Sequence, residues 1–301
     1  MRERREQAIP PPLGDVETPP GLTGRPVVRS EASLREWEDQ LIAFLGSFAE
    51  GLTPYPDYFM LRGNEFRVLR GLLKDLFVLD RPHGLLLEIG CGFGYKSTLL
   101  APFARQVVGV DIPEPYSSHT VGRYPNSVAV ARALVNGVLG REEIRFETAW
   151  PHELPLEDES VDLIYSEYVL EHVEDIPRTV QELKRVLAPG GRMVHVVPNA
   201  LDALMEFVRI NVRVPYRSLA AGFLRRLLRA PQPGPRLVAT GAVVPPPHSE
   251  FLTDFADQLD IYGLERYVFP MVEQGLRIER ITTTRGINTV LVVESVEPGG
   301  S

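Results

Sequence analysis

Apolar and polar residues recur along this chain in two periods, and the change from one to the other sets out its elements. From Ser30 onward, Leu34, Trp37, Leu41, Ile42, Leu45 and Phe48 fall at three- and four-residue spacings, which predicts an amphipathic helix with Gly51 as its stop. A second helix is predicted from Asn64, a good N-cap, with Val68, Leu69, Leu72, Leu73, Leu76 and Phe77 on one face. Tyr55-Pro-Asp-Tyr-Phe59 between them reads as an aromatic loop that packs the two helices on the core, or else as a lid over a ligand. Short apolar runs then predict strands near 85–89, 107–111, 144–148, 161–166 and 192–197, with helices near 95–104, 126–138 and 175–187 between them. A helical segment, 250–274, precedes two last strands near 276–282 and 288–295. Such alternation predicts an α/β, doubly wound sheet with helices on both faces and a ligand at the C-terminal strand ends, where the strand order reverses.

The same pattern divides the chain. Residues 1–29 form a Pro-rich leader, flexible or strapped over the surface, and 30–199 hold the N-terminal helices and the core. Residues 200–249 do not belong to a minimal core. Leu201, Leu204, Met205 and Val208 make one helical stripe, and Leu219, Phe223, Leu224, Leu227 and Leu228 make another, opposite Arg225, Arg226 and Arg229. Between 201 and 230 there are six arginines against two acids, and a Pro-rich connector, 231–247, follows. This insertion reads as a solvated amphipathic cap; the sharper readings are a substrate lid or a peripheral membrane contact through 201–230. Residues 250–296 return to complete the core, and 297–301 are a tail.

The chemistry is concentrated at Leu85-Leu-Leu-Glu-Ile-Gly-Cys-Gly-Phe-Gly94, an apolar run that meets an acid and then glycines at 90, 92 and 94. Glycine there removes the Cβ atoms that would hold a ligand off the backbone and permits positive φ angles. Val107-Val-Gly-Val-Asp111 sets one carboxylate at a strand tip about 20 residues past the first glycine, the separation at which a βαβ unit brings an acid to ribose hydroxyls. The dinucleotide fingerprint wants its third glycine where Tyr95 stands, and Glu88 aims an anion at the same pocket, which suits a cation better than a diphosphate. S-adenosylmethionine has the ribose, the ammonium and the sulfonium for these groups, and no phosphate.

With these motifs, with Leu154-Pro-Leu-Glu-Asp-Glu-Ser-Val-Asp162 running on to Glu171-His-Val173, and with Leu187-Ala-Pro-Gly-Gly191 leading to Asn199, the chain resembles the class I S-adenosylmethionine-dependent methyltransferases, particularly their small-molecule branch. The resemblance implies a Rossmann-like seven-stranded sheet with an antiparallel C-terminal strand pair, and in-line transfer of a methyl group to oxygen, nitrogen or carbon of a small acceptor. It implies S-adenosyl-L-methionine held by Glu88, Gly90, Cys91, Gly92, Gly94, Asp111, Ile112, Ala149, Trp150 and Ser166. The family's usual acid after the third strand, which bonds the adenine amino group, is replaced here by Ala149-Trp-Pro-His-Glu153, and Trp150 either walls the adenine or fills the core. His172, just past the fourth strand, is the candidate general base, with His248 and Tyr168 as weaker candidates.

Composition narrows this. A formal charge of -8 argues against a general nucleic-acid binder. A single cysteine, Cys91, allows no intrachain disulfide and suits a reducing compartment; inside the turn it reads as a small packing residue rather than a nucleophile. The charged Met-Arg-Glu-Arg-Arg-Glu start and the absence of a long apolar run point to a cytoplasmic protein. The six histidines show no paired-ligand spacing, so no metal is expected. Partners are reduced to a small acceptor, anionic or lipid-like if the arginines face it; the oligomeric state is not legible. Two other functions remain open: a donor-binding partner protein without turnover, and a nicotinamide-dependent oxidoreductase, which Tyr95 disfavours.

Overall fold

The computed structural model describes residues 18–47, 58–113, 127–173, 175–198, 265–284 and 288–295. Gly51, most of the aromatic loop, His248, the 200–249 insertion and the first part of the 250–274 helical segment lie outside the described residues.

Among the described residues, two helices precede the sheet. α1 (Glu31–Gly46) opens with a reciprocal cap, in which the Ser30 and Ser33 side chains each bond the other's backbone amide. α2 (Tyr58–Leu72) starts six residues before the expected Asn64, which lies inside it. The element expected to run on to Phe77 ends at Leu72, and Leu72 is exposed, whereas Leu73, Leu76 and Phe77 are buried in the turns that follow. A glycine at 63 discourages a helix on propensity, but a Cβ there would stand 2.5 Å from the Tyr95 hydroxyl, so tertiary packing requires the small residue. Residues 18–28 lie against the core: Leu22 is fully buried, and Gly24 N–H donates to the Leu139 carbonyl at 2.8 Å.

The sheet has seven strands: β1 (His83–Ile89), β2 (Ala104–Asp111), β3 (Ile144–Thr148), β4 (Val161–Glu167), β5 (Leu187–Pro198), β6 (Leu276–Thr284) and β7 (Asn288–Ser295). Their spatial order is β3-β2-β1-β4-β5-β7-β6. The first five run parallel, and β7 pairs antiparallel with both β5 and β6. Between the strands lie α3 (Tyr95–Leu100), α4 (Ser127–Ala131) and α5 (Ile176–Val186), with α6 (Glu265–Glu273) before β6. The helix expected to reach 104 stops at Leu100, because Pro102 forces a tighter turn over Ala101–Phe103 and β2 begins at Ala104. The helix expected over 126–138 is α-helical only through Ala131 and continues as a wider π-helical run, Arg132–Val138.

Alternation along the strands sorts the core into two layers. Leu86, Val107, Leu163, Tyr165, Val194 and Val292 face α1, α2, α3 and α4. Leu87, Ile89, Val108, Val110, Ile164, Met193 and Val293 face α5 and α6. The site stands where β1 and β4 part: β2 and β3 lie beyond β1, and the chain crosses to β4 on its other side.

Candidate functional site

Three consecutive features of β1 build the turn. Its apolar run buries the strand on both faces, and Glu88 falls on the α3 side with 4% of its surface exposed. Gly90, Gly92 and Gly94 then all take positive φ, at 75, 50 and 76°. They do different work. A Cβ on Gly90 would lie 2.3 Å from a Val169 methyl, and one on Gly94 2.4 Å from the Phe146 ring, so these two make room for the protein itself. A Cβ on Gly92 would meet nothing within 4 Å. Gly92 is therefore where the turn lays bare its backbone, the form a ligand-bearing turn requires.

Asp111, half-buried at the tip of β2, holds that bare turn in place. Its carboxylate accepts from Gly92 N–H at 2.9 Å, Ser127 Oγ–H at 2.9 Å and its neighbour Ile112 N–H at 2.8 Å. Burial nonetheless outweighs these donors and raises its carboxyl above the usual range. The Ala149 N–H donates to the Asp111 carbonyl at 3.0 Å, which seats the segment after β3 against the same tip. Ile112 and Ala149 thus stand beside Asp111. Trp150, partly buried, stacks on His152 with ring centroids 5.9 Å apart and planes 16° from parallel.

Glu88 is the most perturbed acid of the turn. Burial pushes its carboxyl up to about 8, against the pull of a short hydrogen bond donated by Ser97 Oγ and of the Lys96 charge. Cys91 beside it is buried, and burial raises its thiol well above the ordinary range, so it stays protonated and inert, as a packing residue does.

Ser166 stands apart from the Glu88 side chain. Its strand register sets it opposite Ile89, on the α5 face of the sheet, whereas Glu88 and Tyr165 share the α3 face. Fully buried there, its hydroxyl is bonded to His195 Nδ1 at 2.8 Å. His172 ends the short turn Leu170–His172 after β4; its Nε2 is 3.9 Å from Glu171 Oε1 and its side chain is 28% exposed. That turn begins at Val169, the residue packed on Gly90, so the turn and the loop after β4 touch.

Sequence reasoning passed over Ser97, Ser127, Lys96 and Glu167. Lys96 Nζ lies 2.6 Å from Glu167 Oε2 with both side chains 9% exposed, and Tyr165 O–H donates to the same carboxylate at 2.8 Å. A signal existed for the serines alone: buried acids at 88 and 111 demand hydroxyl or amide donors nearby.

Residues 87–195 match a family model described as a methyltransferase domain. A Mycolicibacterium smegmatis protein described as a probable S-adenosylmethionine-dependent methyltransferase is 38% identical over 116 residues, 38% of this chain and 38% of its own. The chloroplastic tocopherol O-methyltransferase of Arabidopsis thaliana is 32% identical over 112 residues, 37% of this chain and 29% of its own. The chain thus matches well under two thirds of the length of either relative. A solved Methanococcus maripaludis structure, assigned to the S-adenosyl-L-methionine-dependent methyltransferases, superposes with a TM-score of 0.50 at 16% identity, covering 88% of this chain and 95% of its own. That likeness is one of fold, and it includes the sheet on which the turn stands. Residues 87–195 thus match a methyltransferase domain, and the sheet that carries them has the fold of an S-adenosyl-L-methionine-dependent methyltransferase.

Proposed function

We propose that this protein binds S-adenosyl-L-methionine at the 88–94 turn and transfers its methyl group to a small-molecule acceptor. The observation that carries the reading is the bare backbone of Gly92 pinned by Asp111, with the buried Glu88 behind it. Two acids and, among the described residues, no basic side chain bonded to the turn fit a cationic donor with a ribose, and do not fit a diphosphate. Asp111 would bond the ribose hydroxyls, and Glu88 would balance the ammonium end. When bound, the donor supplies a methyl group activated by a sulfonium. The chain's own part is placement: to hold donor and acceptor in line and keep water out. His172, on the loop that touches Gly90, is the candidate to take a proton from an oxygen or nitrogen acceptor. The tocopherol enzyme among the relatives acts on a small molecule, which supports the same class of acceptor here.

Titration calorimetry tests the donor. S-adenosyl-L-methionine and its demethylated product should bind and NAD should not. Asp111→Ala should weaken binding about 10²-fold or more, since two charge-assisted bonds of roughly 1.5–3 kcal/mol each are lost. Preference for NAD, or unchanged affinity in the variant, would overturn the reading.

A further inference from the structure

Lys96 is the second residue of α3, directly behind the glycine turn, yet its ammonium is not used by the turn. It crosses the α3 face of the sheet to the end of β4, pairs with Glu167 and also donates to the Arg62 carbonyl at 3.1 Å. The Phe66 ring lies 5.1 Å from the same ammonium. Burial alone would raise the Glu167 carboxyl, but the charges of Lys96 and Arg62 outweigh it and keep the group ionised. The next residue, Tyr168, has a φ of 57°, a conformation that costs a non-glycine residue about 1–2 kcal/mol. Its amide is tied to the Val196 carbonyl at 2.9 Å, and the Arg62 guanidinium lies 4.5 Å from the centre of its ring. Val169 follows and fills the space beside Gly90.

A buried ion pair is a poor source of net stability but a strong constraint on geometry, because separating the partners strands a charge. This one joins the helix that starts at the glycine turn to the strand end that starts the loop. We infer that Lys96 is a positioning residue: through Glu167 it holds the left-handed Tyr168 and the loop to His172 against the glycine turn, so that donor occupancy orders the wall of the acceptor site. The inference rests on donor binding at that turn. Arg62, stacked on Tyr168 and paired with Glu65 at 2.8 Å, fixes the outer side of the same wall.

Hydrogen exchange read by mass spectrometry tests this, with the demethylated donor, S-adenosylhomocysteine, as probe at saturation confirmed by calorimetry. In the natural protein the amides of 168–173 should exchange about tenfold or more slowly when the probe is bound. Lys96→Met should lose that protection in 168–173 while β1 and β2 stay protected, and Lys96→Arg should restore it. Glu167→Gln makes the same comparison if circular dichroism shows that Lys96→Met does not fold. Full protection in the charge-removing variants, or none in the natural protein with probe bound, would overturn the inference. Failure of the natural protein to bind the probe at all would instead overturn the donor reading, and the inference with it.

Discussion

The two faces of the central sheet both bury ionisable side chains near the same strand ends, and they treat them in opposite ways. On the α3 face, Tyr165, Glu167 and Lys96 form a connected set in which an acid and a base are matched and the Glu167 carboxylate is held ionised, while Glu88 is bonded by Ser97. On the α5 face, His195 is bonded to Ser166: its Nε2 finds no hydrogen-bond partner among the described residues, and burial pushes the imidazole down to about 4. Burial without an opposite charge in direct contact silences a titratable group, as at His195 and Glu88, whereas the close pair with Lys96 keeps Glu167 charged. The difference separates the face that carries the proposed donor site from the face that serves the core.

Three measurements bear on that contrast. The largest effect is expected at Glu88. Its folded value, about 8, lies above its ordinary 4.5, so the folded protein keeps a proton that the unfolded chain releases between those values. Stability of the empty protein therefore falls as pH rises through that window, by about 5 kcal/mol at most. Glu88→Gln should raise the melting temperature at pH 8, change it little near pH 4.5, and abolish donor binding; no gain at pH 8 would show that the acid is ionised without cost.

His195 tests the silent face with the opposite sign. Its folded value lies below the ordinary 6.5, so its contribution is intact above about 6.5 and is lost as pH falls toward 4. The full loss is about 3 kcal/mol. Thermal melts from pH 7 to 4 should show a steeper decline in the natural protein than in His195→Gln, and parallel curves would break the comparison.

The smallest effect separates the glycines. Gly90→Ala and Gly92→Ala each place a side chain at positive φ, for about 1–2 kcal/mol. Only Gly90→Ala also drives a methyl into Val169, for roughly 1–3 kcal/mol more. Gly90→Ala should thus melt lower, while Gly92→Ala should fold nearly as well and lose donor affinity. Equal melting temperatures would show that the loop after β4 gives way.

Much of this was legible in the chain. Continuous apolar runs bounded by turn residues located the five parallel strands to within a few residues, because buried parallel strands need little beyond that signal. Asp111 was legible from spacing, since the length of a βαβ unit sets where the second strand ends. The start of α2 was not, because Gly63 owes its place to Tyr95, which is remote in sequence. The face that Ser166 takes was hidden for a related reason: it depends on its register against Ile89, a pairing that no local pattern reveals. Lys96 and Glu167 are 71 positions apart, and nothing in either neighbourhood announces the other.

The strand order also governs how the molecule can be assembled. β5 takes its outer partner from β7, so Val194 pairs with Val292 and Val196 with Val290 across nearly a hundred residues of chain. At a synthesis rate of about 5–20 residues per second, an apolar strand edge is left open for seconds or longer after β5 leaves the ribosome. Closing so distant a contact is intrinsically slow. Any chain stopped short of Asn288 keeps that edge open for good, a template on which a second nascent chain can pair. The last strand is in this sense the molecule's protection against its own copies.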